Sequence, residues 1–363
     1  MSIISRAGAG IKDCLTVWQG MRGIKKALIL LLSVLVAMAV GSFIILAVGA
    51  NPLEAYYYML IRPLTSVTSL GEVSMFFTPL LLVGIGVSFT FHAKLSNLGG
   101  EGQILFGALG MALMGIPPVG NVLGAFSLPA GCLLAILFGA AWAAIAGFLK
   151  VRFGTSEIVV TLMLNYIAVQ VISYLVFYPL RSGAEPQTAK VVWALPKLFS
   201  SSRINLGVVV ALLLVVVYGI VIRRTRFGFH LRTLGGSEKA AVYSGVSAKG
   251  YYFAAMVISG AFCGLAGAMQ ISGNTMRLME GVASDFGFSG IVVAMLGSLS
   301  PVGLVLAALF ISLLSAGSVT MQVKTGVPTS FTSVLEALIV LFILLGMAVS
   351  AAQDKRRKGE KAL

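Results

Sequence analysis

Long apolar runs separated by short polar breaks set the pattern of this chain. Ten runs stand out, at roughly 27–48, 74–92, 103–116, 123–149, 157–178, 205–222, 250–272, 285–299, 301–318 and 331–350. A membrane-crossing helix needs about 20 mostly apolar residues, and most of the runs approach or exceed that length. They are continuous rather than alternating, which excludes a transmembrane β-barrel. The pattern predicts an all-α, polytopic helical membrane protein with about ten transmembrane helices, in one transmembrane domain over residues 27–350. The third, eighth and ninth runs are short, as re-entrant or broken helices shielded by their neighbours would be.

Composition removes the soluble alternative. Of 363 residues, 58% are hydrophobic and 10% are charged, whereas soluble domains carry about a quarter charged residues. So few charges cannot cover the surface of a soluble fold. The net charge of +14 does not indicate nucleic acid, because Lys and Arg gather between the apolar runs and at the termini, as membrane topology requires. With ten spans and a cytoplasmic N-terminus, segments 1–26, 150–156, 223–250 and 354–363 lie inside and carry 18 of the 26 basic residues. Lys94, at an inner turn, adds one more. The bias predicts both termini in the cytoplasm: an N-terminal segment 1–26, a first span that is not cleaved, and a basic tail 351–363 near anionic lipid headgroups. Cys14, Cys132 and Cys263 are scattered and have no metal-ligand spacing, so each reads as a small apolar filler.

Two connections are long. The outer one, 179–204, contains three prolines and an interfacial Trp193, and has room for a short surface helix, with a plain connecting loop as the alternative. The inner one, 223–250, holds "SEKAAVYSG". Ser237 can cap free amides there, Glu238 complements the positive helix end, and Gly245 can take the left-handed conformation that stops a helix. Gly235 and Gly236 just before it supply a flexible hinge. Ala240 and Ala241 would give this helix a small-residue face able to enter a groove in another protein; a plain surface helix is the alternative.

The pattern "KAAVYSG" at 239–245 resembles the "EAA---G" coupling helix of ABC import permeases, with Lys239 in place of the acidic residue. "SNLGGEGQ" at 96–103, "EIVVTLMLNYIA" at 157–168, "TRFGFHLRTLGGSEKAAVYSGVS" at 225–247, "SGAFCGLAGA" at 259–268 and "FSGIVVAMLGSLSPVGLVLAALF" at 288–310 resemble, in order, blocks of the nucleoside and simple-sugar branch of that family. The resemblance implies a second related permease subunit, giving a heterodimer, and a cytoplasmic ABC ATPase that uses ATP and Mg. It also implies an extracellular or periplasmic substrate-binding lipoprotein, and a multi-pass place in a bacterial cytoplasmic membrane. It assigns Gly235, Gly236, Ser237, Glu238, Lys239, Ala240, Ala241 and Gly245 to coupling with the ATPase.

Polar groups at membrane depth are costly, about 2.5–3.5 kcal/mol for a charge at a helix centre, and are tolerated facing a bundle interior or water. Asn97, Glu101 and Gln103 among glycines, Asn165 in mid-run, and Glu336 are therefore candidates for the solute path. An inner turn whose polar groups cap helix ends is the alternative for 97–103, and a helix–helix hydrogen bond is the alternative for Asn165. Glu157 and Asp285 lie near run ends, where water can solvate them. Gly260 and Gly264 form a small-xxx-small face for close helix packing.

The chain has no nucleotide-binding motif, no metal-ligand spacing and no catalytic constellation, so it reads as a non-catalytic transport subunit with no cofactor of its own. The resemblance implies an ATP-driven importer for nucleosides or related small sugar-containing solutes as the favoured function. The alternatives are an ABC permease for simple sugars such as ribose, or an ion-coupled secondary transporter using Glu101 or Glu336 as relay.

Overall fold

The computed structural model describes residues 23–199 and 202–360. The expectations for most of segment 1–26, for Cys14 and for the last three residues of the basic tail lie outside these residues. The longer helices are α1 (Gly23–Ala47), α2 (Val67–His92), α3 (Gly100–Gly115), α4 (Ser127–Phe153), α5 (Glu157–Phe177), α6 (Leu206–Arg224), α7 (Arg226–Gly236), α8 (Glu238–Tyr243), α9 (Ala248–Gln270), α10 (Phe286–Leu296), α11 (Pro301–Thr325) and α12 (Phe331–Glu360). Among the described residues, seven helical segments have the length and apolar composition to cross a membrane, and α10 and the apolar part of α12 are shorter. With α3 these match the ten apolar runs one for one. The run predicted to end at 318 continues to Thr325. The first turns of α2 reach back to Val67, because Ser66 accepts a hydrogen bond from the Ser69 amide and caps a polar start that hydropathy alone does not mark.

The chain divides into two compact units. One comprises residues up to 61 together with 317–363. In it α1 and α12 pack antiparallel, with Gly41 against Phe331 and Leu335 and Gly346 against Ile29. The Tyr56 hydroxyl donates to the Met38 carbonyl at 2.7 Å. The backbone of α12 stays helical to Glu360, through the position where a solvated tail was expected.

The other unit, Arg62–Ala316, is built around α2, α3, α4 and α9. Glycine makes the crossings close: a β-carbon on Gly260 would overlap the Gly139 carbonyl, one on Gly264 the Ala135 carbonyl, and one on Gly107 the Gly264 backbone. Without side chains between them, α3, α4 and α9 meet backbone to backbone, the arrangement that drives association where lipid removes the hydrophobic incentive. Cys263 is wholly buried in this contact region. Within its apolar window α2 is 83% buried and α5 is 22% buried, so α2 runs through the interior and α5 along the outside.

Gly147 on α4 lies against Phe253 and Met256 on α9. The α4–α5 turn and the 225–247 segment therefore share one end of this unit, here called the basic end for Lys150, Arg152, Arg223, Arg224 and Arg226. Glu157 at this end is not solvated as expected: it is 4% exposed and its carboxylate meets the Lys150 ammonium at 2.7 Å. At the opposite end, the 179–204 connection forms no helix among its described residues. Its amides instead bind neighbouring backbone, Thr188 to the Leu278 carbonyl and Val191 to the Met276 carbonyl, both at 2.9 Å. Pro179, Pro186 and Pro196 interrupt it too often for a helix to propagate.

Pro79 lies inside α2 and offers no amide to the Met75 carbonyl one turn earlier. Asn274 supplies the missing donor: its Nδ2 reaches the Met75 carbonyl at 3.0 Å and the Gln270 Oε1 at 2.6 Å. Asn274 belongs to a wide π turn, Ile271–Thr275, that ends α9. An irregularity in one helix thus satisfies a defect in the next. Asn274→Ala strands the carbonyl, at a cost of about 1–3 kcal/mol for a buried unpaired group, and should lower the melting temperature of the purified protein. In a Pro79→Ala background, where the helical amide returns, the same substitution should cost much less. Equal penalties in both backgrounds would exclude this account.

Candidate functional site

The residues "SNLGGEGQ" lie where α2 has ended and α3 has not begun. Segment 93–99 is not helical, yet it is packed among helices, so its backbone groups need partners. Side-chain amides provide them. Asn165 on α5 accepts from the Gly102 amide at 2.9 Å through Oδ1 and donates through Nδ2 to the Leu98 carbonyl at 2.8 Å. The Thr161 hydroxyl, one turn earlier, accepts from the Leu98 amide at 3.3 Å. Asn97 accepts from its own turn at the Gly99 amide at 2.9 Å, and its Nδ2 reaches Gln103 Oε1 at 3.0 Å and Ser259 Oγ at 2.8 Å. Gln103 returns a bond from Nε2 to Asn97 Oδ1 at 3.1 Å. The structure therefore brings Asn97, Gln103 and Asn165 into one buried network that joins α3, α5 and the middle of α9.

Glu101 points elsewhere. Its Oε1 accepts from the Asp285 amide at 3.1 Å and its Oε2 from the Gly287 amide at 2.9 Å. Those are free amides at the start of α10, so Glu101 caps a helix other than its own. The N-termini of α3 and α10 meet here: a β-carbon on Gly100 would stand 3.0 Å from the Gly287 α-carbon. Asp285 precedes α10 in left-handed backbone, with φ of +59°. The short third and eighth runs are thus two helices that begin within the bundle and run apart.

Beside this junction a cavity of about 170 Å³ is lined by Glu101, Leu105, Ser173, Glu280 and Ala283, among others. Ser173 Oγ donates to Glu280 Oε1 across it at 2.9 Å. Further along α5, Tyr166, Gln170 and Tyr174 line a shallow open groove of about 430 Å³. Helix α5 is two-sided: Thr161, Asn165, Ala168, Ile172 and Val176 are buried, while Tyr166 and Tyr174 are 69% and 61% exposed. Gln170, near the middle of an apolar helix, is exposed on that outer side. Sequence reasoning gave Ser173 and Glu280 no role; the Glu280 carboxylate, in the short connection between the seventh and eighth apolar runs, was the available signal. Glu336 lies buried on α12, in the other compact unit.

At the basic end, α7 and α8 form a bent helical pair. Ser237 is the cap: its Oγ accepts from the Ala240 amide at 3.3 Å. Glu238 occupies the first turn, and Gly245, at φ +80°, follows the helix end. Gly235 and Gly236 are the last turn of α7 rather than a loose hinge. Gly235 is there because nothing larger fits: a β-carbon would overlap the His92 carbonyl at the end of α2. Ala240 is exposed but Ala241 is fully buried, packed with Leu234, Val246, Tyr251 and Tyr252. The outward face is therefore not the expected alanine pair. It presents Lys239, Ala240, Val242 and above all Tyr243, which is 93% exposed.

Ten apolar helices among the described residues, two of which start inside the bundle, and a capped polar helix pair at one end define a polytopic membrane protein. The chain belongs to the family described as branched-chain amino acid transport system / permease component, which matches residues 69–344. It is 33% identical to the guanosine ABC transporter permease protein NupP of Bacillus subtilis, over 91% of this chain and 97% of that one. It is 34% identical to the glucose ABC transporter permease protein TsgB13 of Haloferax volcanii, over 86% of each. It is 30% identical to the nucleoside ABC transporter permease protein NupB of Lactococcus lactis, over 93% of this chain and 99% of that one. No solved structure matches it.

Asn165→Leu removes both partners of the Leu98 carbonyl and Gly102 amide, and two buried unpaired groups cost about 2–6 kcal/mol together. The variant should reach the membrane at strongly reduced yield and melt lower than wild type, whereas Gln170→Leu, on the exposed side, should melt like wild type. Comparable melting of Asn165→Leu and wild type would refute the stapling role.

Proposed function

We propose that the chain is one of two related membrane-spanning subunits of an ATP-driven ABC importer that carries nucleosides, or similar sugar-containing solutes, into a bacterial cell by alternating access. The observation that carries this reading is the capped helix α8, which offers an exposed tyrosine at the basic end, in a chain related over nearly its whole length to ABC permeases named for guanosine and nucleosides. Bacillus subtilis and Lactococcus lactis each have a second relative of this chain, NupQ and NupC, which supports a heterodimer. In this reading both termini and the basic end are cytoplasmic, a separate ATPase binds ATP and Mg and docks on α8, and an external binding protein delivers solute to the opposite end. The glucose-named relative supports simple sugars as the second substrate reading.

The solute path follows the exposed side of α5. A glutamine and tyrosines in the middle of an apolar span are poorly placed against lipid and well placed beside water or a partner subunit. Tyr166, Gln170 and Tyr174 mark that side, and the Glu101, Ser173 and Glu280 cavity opens along it. Contacts there are brief hydrogen bonds and ring contacts, with no covalent step. Asn97, Gln103 and Asn165 hold the wall in shape, since their polar atoms are engaged within the fold.

Radiolabelled guanosine uptake by cells carrying the complete transporter should survive a protonophore and stop on ATP depletion; the reverse result would establish an ion-coupled carrier. Tyr243→Glu, which changes no buried contact, should cut uptake about ten-fold, the equivalent of about 1.4 kcal/mol, while the complex still assembles. Unchanged uptake would remove α8 as the docking element.

A further inference from the structure

The turn joining α10 to α11 is strained. Ser298 and Leu299, neither of them glycine, both have left-handed backbone, with φ of +50° and +56°. Side chains disfavour this region through clash with the backbone, and consecutive positions are rare. The Ser298 hydroxyl is buried with no hydrogen-bond partner. Such a turn persists only if its surroundings hold it.

One side chain does so. Tyr218 on α6 is wholly buried, and its hydroxyl donates to the Leu299 carbonyl at 2.7 Å. His92 Nε2 lies 3.1 Å from the same hydroxyl oxygen. With the tyrosine proton committed to Leu299, the oxygen accepts and the His92 ring donates from Nε2. Phe89 packs edge-on against the Tyr218 ring, centroids 5.2 Å apart, which fixes the ring. His92 is the last residue of α2, and its carbonyl is where Gly235 of α7 comes to rest. Beyond Gly235, Ser237 begins α8. On the far side of the turn, α10 leads to the amides of Asp285 and Gly287 that Glu101 holds.

We propose that Tyr218 is a positioning residue for transport: it clamps the Ser298–Leu299 turn in its strained form, and through His92 and Gly235 it makes that form depend on the placement of α7 and α8. The proposal rests on α8 being the docking element for the ATPase. A displacement of α7 moves the His92 carbonyl, shifts the ring that buttresses Tyr218, and frees the turn to relax. Helix α10 then moves as a lever, with its other end at the Glu101 junction. The device is a strained element with a hydrogen-bonded catch, which is the two-state part that coupling between distant sites requires.

The test uses the complete transporter in lipid vesicles, with hydrogen exchange of the 296–300 amides and guanosine uptake per ATP hydrolysed as readouts. Tyr218→Phe should speed exchange at the turn and lower uptake per ATP about ten-fold, while ATP hydrolysis stays within about two-fold, as loss of one buried hydrogen bond of about 1.4 kcal/mol implies. Ser298→Gly removes the left-handed penalty and the unpartnered hydroxyl without touching the clamp, so in the Tyr218→Phe background it should restore slow exchange while uptake per ATP stays low, because a turn without strain has nothing to release. A merely structural tyrosine would regain uptake together with slow exchange. Unchanged exchange in Tyr218→Phe, or full recovery of uptake in the double variant, overturns the clamp. If wild-type uptake proves independent of ATP, the importer reading fails, and the exchange measurement still decides whether Tyr218 holds the turn.

Discussion

Every backbone amide and carbonyl in this bundle has to find a partner inside the protein, and that demand shapes the second compact unit. Where α2 stops and α3 has yet to start, seven residues of irregular chain run between helices with little water to serve them. Asn97, Thr161, Gln103 and Asn165 give up their hydrogen bonds to that stretch. Glu101 does the same for the first amides of α10, and Asn274 for the carbonyl that Pro79 leaves without a donor. The polar residues of the membrane interior are thus largely occupied in keeping broken helices satisfied. Breaks of this kind are what allow a helical bundle to present ends, not only sides, to its interior.

The glycine crossings serve the same requirement from the other direction. Gly107, Gly139, Gly260 and Gly264 bring α3, α4 and α9 to backbone contact, which excludes competing solvent and lipid from the region of the amide network. Smooth surfaces of this type also resist sliding less than interlocked side chains do. A rigid staple around 97–103 and a smooth crossing beside it divide the unit into parts that hold shape and parts that can shift. The strained turn at Ser298–Leu299 lies at the end of α10, the helix whose beginning Glu101 holds.

Much of the architecture was legible in the sequence because hydropathy reports it directly: ten apolar runs became ten helices, and "SEKAAVYSG" became a capped short helix, Glu238–Tyr243, with Gly245 just past its end. The direction of side chains was less legible. Ala240 and Ala241 are adjacent and chemically identical, yet one is exposed and the other buried, because only the docking of α8 on Leu234 and Tyr252 decides which side faces in. Gly235 reads as flexible in isolation; a close approach of the His92 carbonyl makes it a fitted contact. The role of Asn165 depended on what stood opposite, a carbonyl and an amide more than sixty residues earlier. Tyr218 sits in an unremarkable apolar run, and its hydrogen-bond partner is a backbone atom 81 residues away, which no local pattern can indicate.

The junction of α3 and α10 carries a charge balance of its own. Each helix start contributes roughly half a positive elementary charge from its unpaired amides, and the two starts face the same point. The Glu101 carboxyl group accepts from the first amides of α10 at that point, and Asp285 places a second acidic side chain at the start of the same helix, so acidic groups stand against both helix starts. The junction is therefore polar without presenting two uncompensated positive helix ends to whatever lies beside it.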